Sequence, residues 1–413
     1  MRIAIVGSGI SGLGCAHLLG PHHDVTVFEA STRLGGHTNT VLVDDPVAGR
    51  LGIDTGFIVH NDHNYPNLVR LFDELGVETQ PSEMSFGVHD RSTGFAYRAS
   101  GPNTLLASRR NALRADWWRM LADIPRFWRS AKQVLAVGDR SLTLDEFLAE
   151  GGYSQAFIDL HLIPMGSSIW SADPTRFGEF PAVSLFGFLD NHGLLGLRNR
   201  PKWRTVVGGS QRYIDEIVAR FSGTIRGNAP VTSVIRSDDG VEVTANGVTE
   251  RFDRVVLACH TDQALDLLAD ASPDEKEMLG SIAYQPNLAT LHTDETVLPP
   301  TRRAWSAWNF EIVEGADEAT LTYDLTALQR LPGSRRYLVS LNLDDRIDPE
   351  TVIARFNYAH PVFDAAAIEA QRRLPEIDGN GGVHFAGAWA GHGFHEDGFV
   401  SAIEACRRIG VSW

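Results

Sequence analysis

RIAIVGSGISGLGCAHLLGPHHDVTVFEASTRLGGH, residues 2–37, decides the fold. Ile3 to Val6 is a short apolar run of the kind a strand buried on both faces requires. Gly7, Gly9 and Gly12 follow as G-x-G-x-x-G, then an apolar helix through Leu13 to Leu19, then a second strand, Val25 to Phe28, ending on Glu29. Each part has a task in holding an adenine dinucleotide. Gly7 permits a tight turn, Gly9 removes a Cβ where a pyrophosphate approaches the backbone, and Gly12 lets helix and strand pack closely. The helix N-terminus offers free N–H groups and a positive dipole end to the phosphates. Glu29, 22 residues after Gly7, stands where a carboxylate accepts ribose hydroxyls and repels a 2′-phosphate, which disfavours NADP.

Ala30 to His37 extends the pattern to E-x-x-x-R-x-G-G-H, with Arg33, Gly35, Gly36 and His37. A nicotinamide site has no use for a second glycine pair beyond the ribose acid. A flavin site does, because its ribityl and isoalloxazine arms return past that loop. Here the chain resembles the FAD-dependent amine oxidase superfamily, which includes phytoene-desaturase-like and protoporphyrinogen-oxidase-like enzymes. Their pattern ends in G-G-R, so His37 is a departure. Two further stretches carry the resemblance. Asp54-Thr55-Gly56-Phe57-Ile58 is similar to the D-x-G stretch whose backbone passes along the flavin. Val383 to Ala388, then Gly393 to Gly398, is similar to the C-terminal strand, turn and helix start that face the flavin pyrimidine edge, where N–H groups stabilise negative charge. Ala388 stands where an acid is usual. The resemblance implies FAD contacts at Gly7, Gly9, Ser11, Gly12, Glu29, Arg33, Gly35, Gly36, His37, Thr38, Thr55, Gly56, Phe57, Ile58, Val231, Gly387, Asp397, Gly398 and Phe399. The turn at Ala388 to Gly391 lacks a cysteine, so the FAD is expected to be non-covalent.

At 413 residues the chain is long for one core, and two domains are expected. The nucleotide-binding pieces are discontinuous. The expected class is α/β, a Rossmann-like FAD-binding domain from residues 1–60, 201–283 and 375–413, with an α+β substrate-binding domain from 61–200 and 284–374. Turn signals at Ser237-Asp238-Asp239-Gly240 and Asn246-Gly247 predict two hairpins in the second piece. A net charge of −15 argues against a general nucleic-acid binder. Cys15, Cys259 and Cys406 have no close spacing, so neither disulfides nor a metal site is expected, and a cytoplasmic setting fits. Asp24 and the glycine register mark the N-terminus as the first strand and helix of the fold, not a leader. No apolar run reaches the ~18 residues of a membrane-spanning helix.

The strings D-T-G-F-I-V-H-N, I-P-M-G-S-S-I-W-S, W-S-A-W-N-F and G-F-H-E-D-G narrow the resemblance. They are similar to a bacterial branch encoded beside cyclopropane-fatty-acid-synthase-like methyltransferases, which includes desaturases of methyl-branched fatty acyl chains. That resemblance implies a lipid or fatty acyl substrate, with hydride transfer from an activated C–H and loss of a neighbouring proton. His395, Glu396 and His60 are the candidate bases, and Trp170, Trp305 and Trp308 the candidate walls of an acyl pocket. Amine oxidases usually hold a lysine near flavin N5, but 284–374 contains none; only Lys132, Lys202 and Lys276 exist. A flavin amine oxidase and a non-redox flavoprotein isomerase remain the alternatives. No second fingerprint for NAD(P)H is present, so oxygen, a quinone or another acceptor is expected to reoxidise the flavin.

Residues 105–135 hold seven cations (Arg109, Arg110, Arg114, Arg119, Arg126, Arg129, Lys132) against Asp116 and Asp123, interleaved with Trp117, Trp118, Phe127 and Trp128. Such a segment suits either an anionic bilayer at the inner face of the membrane or a helix whose aromatics are core and whose arginines are solvated.

Overall fold

The computed structural model describes every residue except Asn199, Glu314 and Asp317. Its organising unit is a five-stranded parallel sheet in the order Val383–Phe385, Arg254–Leu257, Arg2–Val6, Asp24–Phe28, Thr224–Arg226. Strands from all three nucleotide-binding pieces therefore lie side by side. Ile3, Ala4 and Ile5 are fully buried, as a central parallel strand covered on both faces demands. The helix Ile10–Leu19 packs against the C-terminal helix His395–Ile409. Gly14 makes that approach possible, since a Cβ there would meet the Phe399 ring at 2.8 Å.

The two hairpins form a three-stranded antiparallel sheet, Val231–Ser237, Gly240–Ala245 and Val248–Phe252. Asn246 and Gly247 both take positive φ (50° and 76°), as a two-residue hairpin turn requires.

A seven-stranded mixed sheet carries the rest, in the order Val352–Pro361, Tyr284–His292, Leu338–Leu341, Leu321–Asp324, Trp308–Glu311, Phe86–Asp90, Phe95–Arg98. Only the pairing of Trp308–Glu311 with Phe86–Asp90 is parallel. Helices Ala115–Val137, Leu144–Gly151, Ile163–Trp170 and Ala182–Asn191 pack an aromatic core beside it. The helix Pro66–Leu75 departs from the expected boundary at residue 60. Leu68, Leu71, Phe72 and Leu75 are buried with the nucleotide-binding core, because the helix packs on His395–Ile409.

No helix among the described residues is long and apolar enough to cross a membrane.

Candidate functional site: the glycine loops and the C-terminal helix start

The three fingerprint glycines have separate physical roles. A Cβ on Gly7 (φ +104°) would meet Ala258 O at 2.5 Å, and one on Gly12 would meet Gly7 O at 2.0 Å. Both are glycine for packing. A Cβ on Gly9 would meet nothing within 4 Å, so Gly9 faces open space at the N-terminus of Ile10–Leu19. No side chain caps that helix, leaving its first-turn N–H groups available to an anion. The cradle fits a dinucleotide.

Glu29 stands at the end of its strand. Its Oε2 accepts the Ser8 N–H (2.9 Å) and hydroxyl (2.6 Å), and Oε1 accepts the Ser31 N–H (2.8 Å). The carboxylate is thus fixed against the loop. Ala229 N–H donates to Glu29 O (2.8 Å), which brings the Val231 strand to the same end. Arg33 acts inside the second loop, where Nη1 donates to Thr38 O and Nη2 to Gly36 O, both at 2.7 Å. It holds Gly35 and Gly36 at positive φ, with Gly36 against Gly9: a Cβ on Gly36 would lie 3.0 Å from Gly9 Cα. The D-T-G stretch runs along that loop. Thr55 N–H donates to Asn39 O, Phe57 N–H to His37 O, and a Cβ on Gly56 would strike His37 O at 2.0 Å. Asp54 is buried, accepting from Thr40, Ser210 and Gln329; burial pushes its carboxyl up to about 7 against those donors. Ser11 is buried near Gly398, and Ile58 is buried with the mixed sheet's core.

The C-terminal turn differs from expectation. The helix begins at His395, ahead of Asp397, Gly398 and Phe399, the residues expected to meet the FAD. Gly398 N–H already donates to Phe394 O (3.0 Å), and Phe399 is core, packed on Gly14 and Trp413. Neither is placed to offer a free donor. The available first-turn N–H groups belong to His395, Glu396 and Asp397. The Asp397 carboxylate folds back to accept Phe394 N–H (2.9 Å), and burial raises its pKa. Gly387 N–H donates to Ser401 Oγ (2.9 Å).

Of the three candidate bases, only His395 lies at the cofactor loops. Its Nε2 is 2.9 Å from Thr38 Oγ1 and 3.2 Å from Tyr213 OH, and its ring stacks on Phe57 at 3.8 Å. Burial pushes its imidazole down to about 3, so it is neutral near pH 7 and a weak base. Glu396 is corrected to a cap. Its Oε1 accepts the N–H (3.0 Å) and Nδ2 (2.7 Å) of Asn67, and Oε2 accepts Leu68 N–H (2.9 Å), satisfying the start of Pro66–Leu75. His60 is corrected to a core residue. Its backbone bridges to Arg204, its ring packs edge-on against Phe72, and burial lowers its pKa to about 4.

The three tryptophans separate. Trp170 joins Phe177, Phe180 and Phe188, and its Nε1 donates to His392 O (3.1 Å) beside the C-terminal turn; Phe394 stacks on Phe188 at 5.2 Å. Trp308 packs edge-on against Tyr323 between two apolar clusters. Trp305 is corrected to a structural residue elsewhere, with Arg302 and Arg336 over its ring and Nε1 bonded to Pro299 O.

Several residues around His37 and Thr38 escaped the sequence reading: Tyr358, His360, His260 and Tyr213. His37 stacks on Tyr358 (4.9 Å), with His360 at 5.4 Å and His260 at 6.1 Å. Burial first, and those two histidines next, hold His37 well below the ordinary imidazole range. Tyr358 OH bonds Thr55 Oγ1 and Asn39, while His360 Nδ1 meets Asn287 Nδ2 (3.0 Å). His260 follows the strand that contacts Gly7; that position was its one sequence signal. Tyr213, bonded to Thr38, had none.

A family profile described as flavin containing amine oxidoreductase matches residues 10–410. Amine oxidase [flavin-containing] A of Canis lupus familiaris is 25% identical over 259 residues, 58% of this chain and 45% of the relative. The chain spans about half the length of the curated relatives it matches first. The same fold occurs in a CLA-producing fatty acid isomerase from P. acnes (TM-score 0.71, 18% identity, 99% of each chain covered). It occurs too in the cyclohexylamine oxidase from Brevibacterium oxydans IH-35A (TM-score 0.70, 18% identity, 99% of each). The chain belongs to the flavin containing amine oxidoreductase family, whose cofactor is FAD.

Proposed function

We propose that the protein is a lipid-directed dehydrogenase that removes hydride and proton from an unsaturated, methyl-branched fatty acyl chain, leaving a new C=C bond. The observation that carries this reading is the aromatic cluster of Trp170, Phe177, Phe180 and Phe188, continued by Phe394 up to the start of His395–Ile409. An acyl chain gains about 0.8 kcal/mol per methylene buried against such a wall. A small ammonium loses hydration there, and the Asp397 carboxylate beside Phe394 is turned back onto the Phe394 N–H. The three lysines are exposed, and none lies in the mixed-sheet segment 284–374 where an amine oxidase is expected to hold one. The fold shared with a fatty acid isomerase is consistent with an acyl ligand.

FAD, when bound, supplies the hydride acceptor. Gly9, the first turn of Ile10–Leu19 and Glu29 would hold its adenosine and pyrophosphate, with Gly36 and Thr55–Phe57 beside the flavin arm. His395 orients the Thr38 hydroxyl through its 2.9 Å contact, and the substrate proton would pass to solvent water, because burial makes the His395 imidazole a weak base near neutrality.

The test is anaerobic mixing of the flavin-loaded protein with a phospholipid bearing a methyl-branched unsaturated chain. Bleaching of the oxidised-flavin band, with a product two hydrogens lighter by mass spectrometry, is the expected result. Bleaching by polyamines but by no lipid would falsify the reading in favour of an amine oxidase. Isomerised lipid without consumption of an electron acceptor would show a non-redox flavoprotein instead.

A further inference from the structure

The helix Ala115–Val137 is two-sided. Trp117, Met120, Phe127 and Ala131 are buried in the cluster that also holds Trp170 and Phe188. On its first turn and on the 3-10 turn Arg109–Leu113 before it, apolar side chains point outward: Leu113 is 89% exposed and Trp118 53%. Trp118 is fixed there, since its Nε1 donates to Ala112 O at 3.0 Å.

Cations surround this pair. Arg114 and Arg126 are tied to Asp116 and Asp123 at 2.6 and 2.7 Å. Arg109, Arg110 and Arg119 are exposed, and none has a carboxylate at ion-pair distance among the described residues. The tertiary structure adds two more. The turn Arg302–Ala304 packs on Pro102–Leu105 and on Phe95–Arg98, the strand that Arg109–Leu113 also contacts; Arg302 and Arg303 are exposed, Arg302 lying 3.8 Å from the Glu295 carboxylate. Arg109 Nη2 bonds Asn103 Oδ1 (2.6 Å), tying its turn to the same short helix.

This face contrasts with the molecule as a whole, whose net charge is −15. Fixed cations around a protruding tryptophan and leucine complement an anionic bilayer. Each arginine near such a surface contributes about 1 kcal/mol, and the indole and isobutyl groups enter at headgroup depth. A nucleic acid would engage the arginines but leave Leu113 in water.

We propose that Arg109–Arg119, with Arg302 and Arg303, docks the protein on an anionic lipid surface. Docking stands on this face alone; only its use in reaching an acyl substrate rests on the dehydrogenase reading.

The experiment is flotation of the flavin-loaded protein with vesicles of phosphatidylcholine alone or mixed with phosphatidylglycerol. Binding to the mixed vesicles only, weakened by salt, is expected. The Arg109→Gln/Arg110→Gln/Arg119→Gln variant should partition about 100-fold less. Leu113→Ser/Trp118→Ser should also bind more weakly, with flavin absorbance unchanged as the check on folding. The proposal is overturned if the protein does not float with the mixed vesicles, or if it binds neutral ones equally. It is also overturned if both variants bind as the parent does. Loss of a dimer in Leu113→Ser/Trp118→Ser, or binding to an oligonucleotide without vesicle binding, would assign the face elsewhere. Turnover of detergent-dispersed lipid separates the two readings: vesicle binding without turnover supports docking and sinks the dehydrogenase, and turnover without vesicle binding does the reverse.

Discussion

Glu396 and Asn67 lie 329 positions apart in the chain, yet one Glu396 oxygen accepts both the backbone and side-chain N–H groups of Asn67, at 3.0 and 2.7 Å. The acid beside the cofactor-facing helix start is occupied in capping another helix. Glu396→Gln should therefore lower stability by roughly 1–2 kcal/mol, the range for a lost cap. Thermal melts would register the loss, while anaerobic flavin reduction should proceed at near the parent rate. A large fall in that rate with unchanged stability would return Glu396 to the chemistry.

Gly9 and Gly12 should part company on substitution by alanine. Gly9→Ala meets no protein atom, so the apoprotein should melt as the parent does while its flavin-to-protein ratio falls. Gly12→Ala drives a methyl into Gly7 O and should destabilise by about 1–3 kcal/mol or more before cofactor is considered. Absorbance ratios and melting curves on both variants check this.

Acid should unfold the protein steeply. Burial lowers His60, His161, His192, His292 and His360 to about 4 and His395 to about 3. Between those values and the ordinary imidazole pKa the unfolded chain binds more protons, so stability is intact above that ordinary value and falls with pH below it. Each buried histidine costs up to about 1.4 kcal/mol per pH unit across the window. Asp54, raised to about 7, acts in the opposite sense, favouring the fold as pH falls. Denaturant melts at neutral and mildly acidic pH should show the histidines prevailing, and His292→Gln should shallow the slope.

Trp170 and Trp305 make a matched pair, because each indole donates one hydrogen bond to a carbonyl, His392 O at 3.1 Å and Pro299 O at 2.7 Å. Phenylalanine at either position should cost about 1 kcal/mol of stability. Only Trp170→Phe should raise KM for an acyl substrate, since only that ring adjoins the turn before His395. Equal KM changes in both would remove Trp170 from the pocket.

Local pattern made the nucleotide-binding core legible. The strands at 2–6, 24–28, 254–257 and 383–385 sit in one parallel sheet, and Gly7, Gly9 and Gly12 do the turning, exposing and packing that their spacing predicts. Those features are written within a few residues of each other, because strand period and glycine turns are local properties of the chain. Asn246-Gly247 is legible for the same reason.

What the side chains at the site do was a tertiary matter. His395-Glu396-Asp397 reads as two candidate bases beside a cofactor contact, but helical geometry sends each in a different direction: His395 onto Phe57, Glu396 to another helix, Asp397 back to its own turn. Trp305 and Trp308, three residues apart, part in the same way. The group around His37 gathers from positions 260, 358 and 360, a proximity no local spacing encodes. By itself, the sequence determined the strands of the parallel sheet, the glycine turns of the dinucleotide cradle and the resemblance to the family, because strand period, glycine turns and motif strings are local patterns of the chain. Which polar groups stay available for chemistry, and which arginines stay unpaired beside Trp118, was decided only by packing, because a side chain's hydrogen-bond partners are set by where distant segments meet.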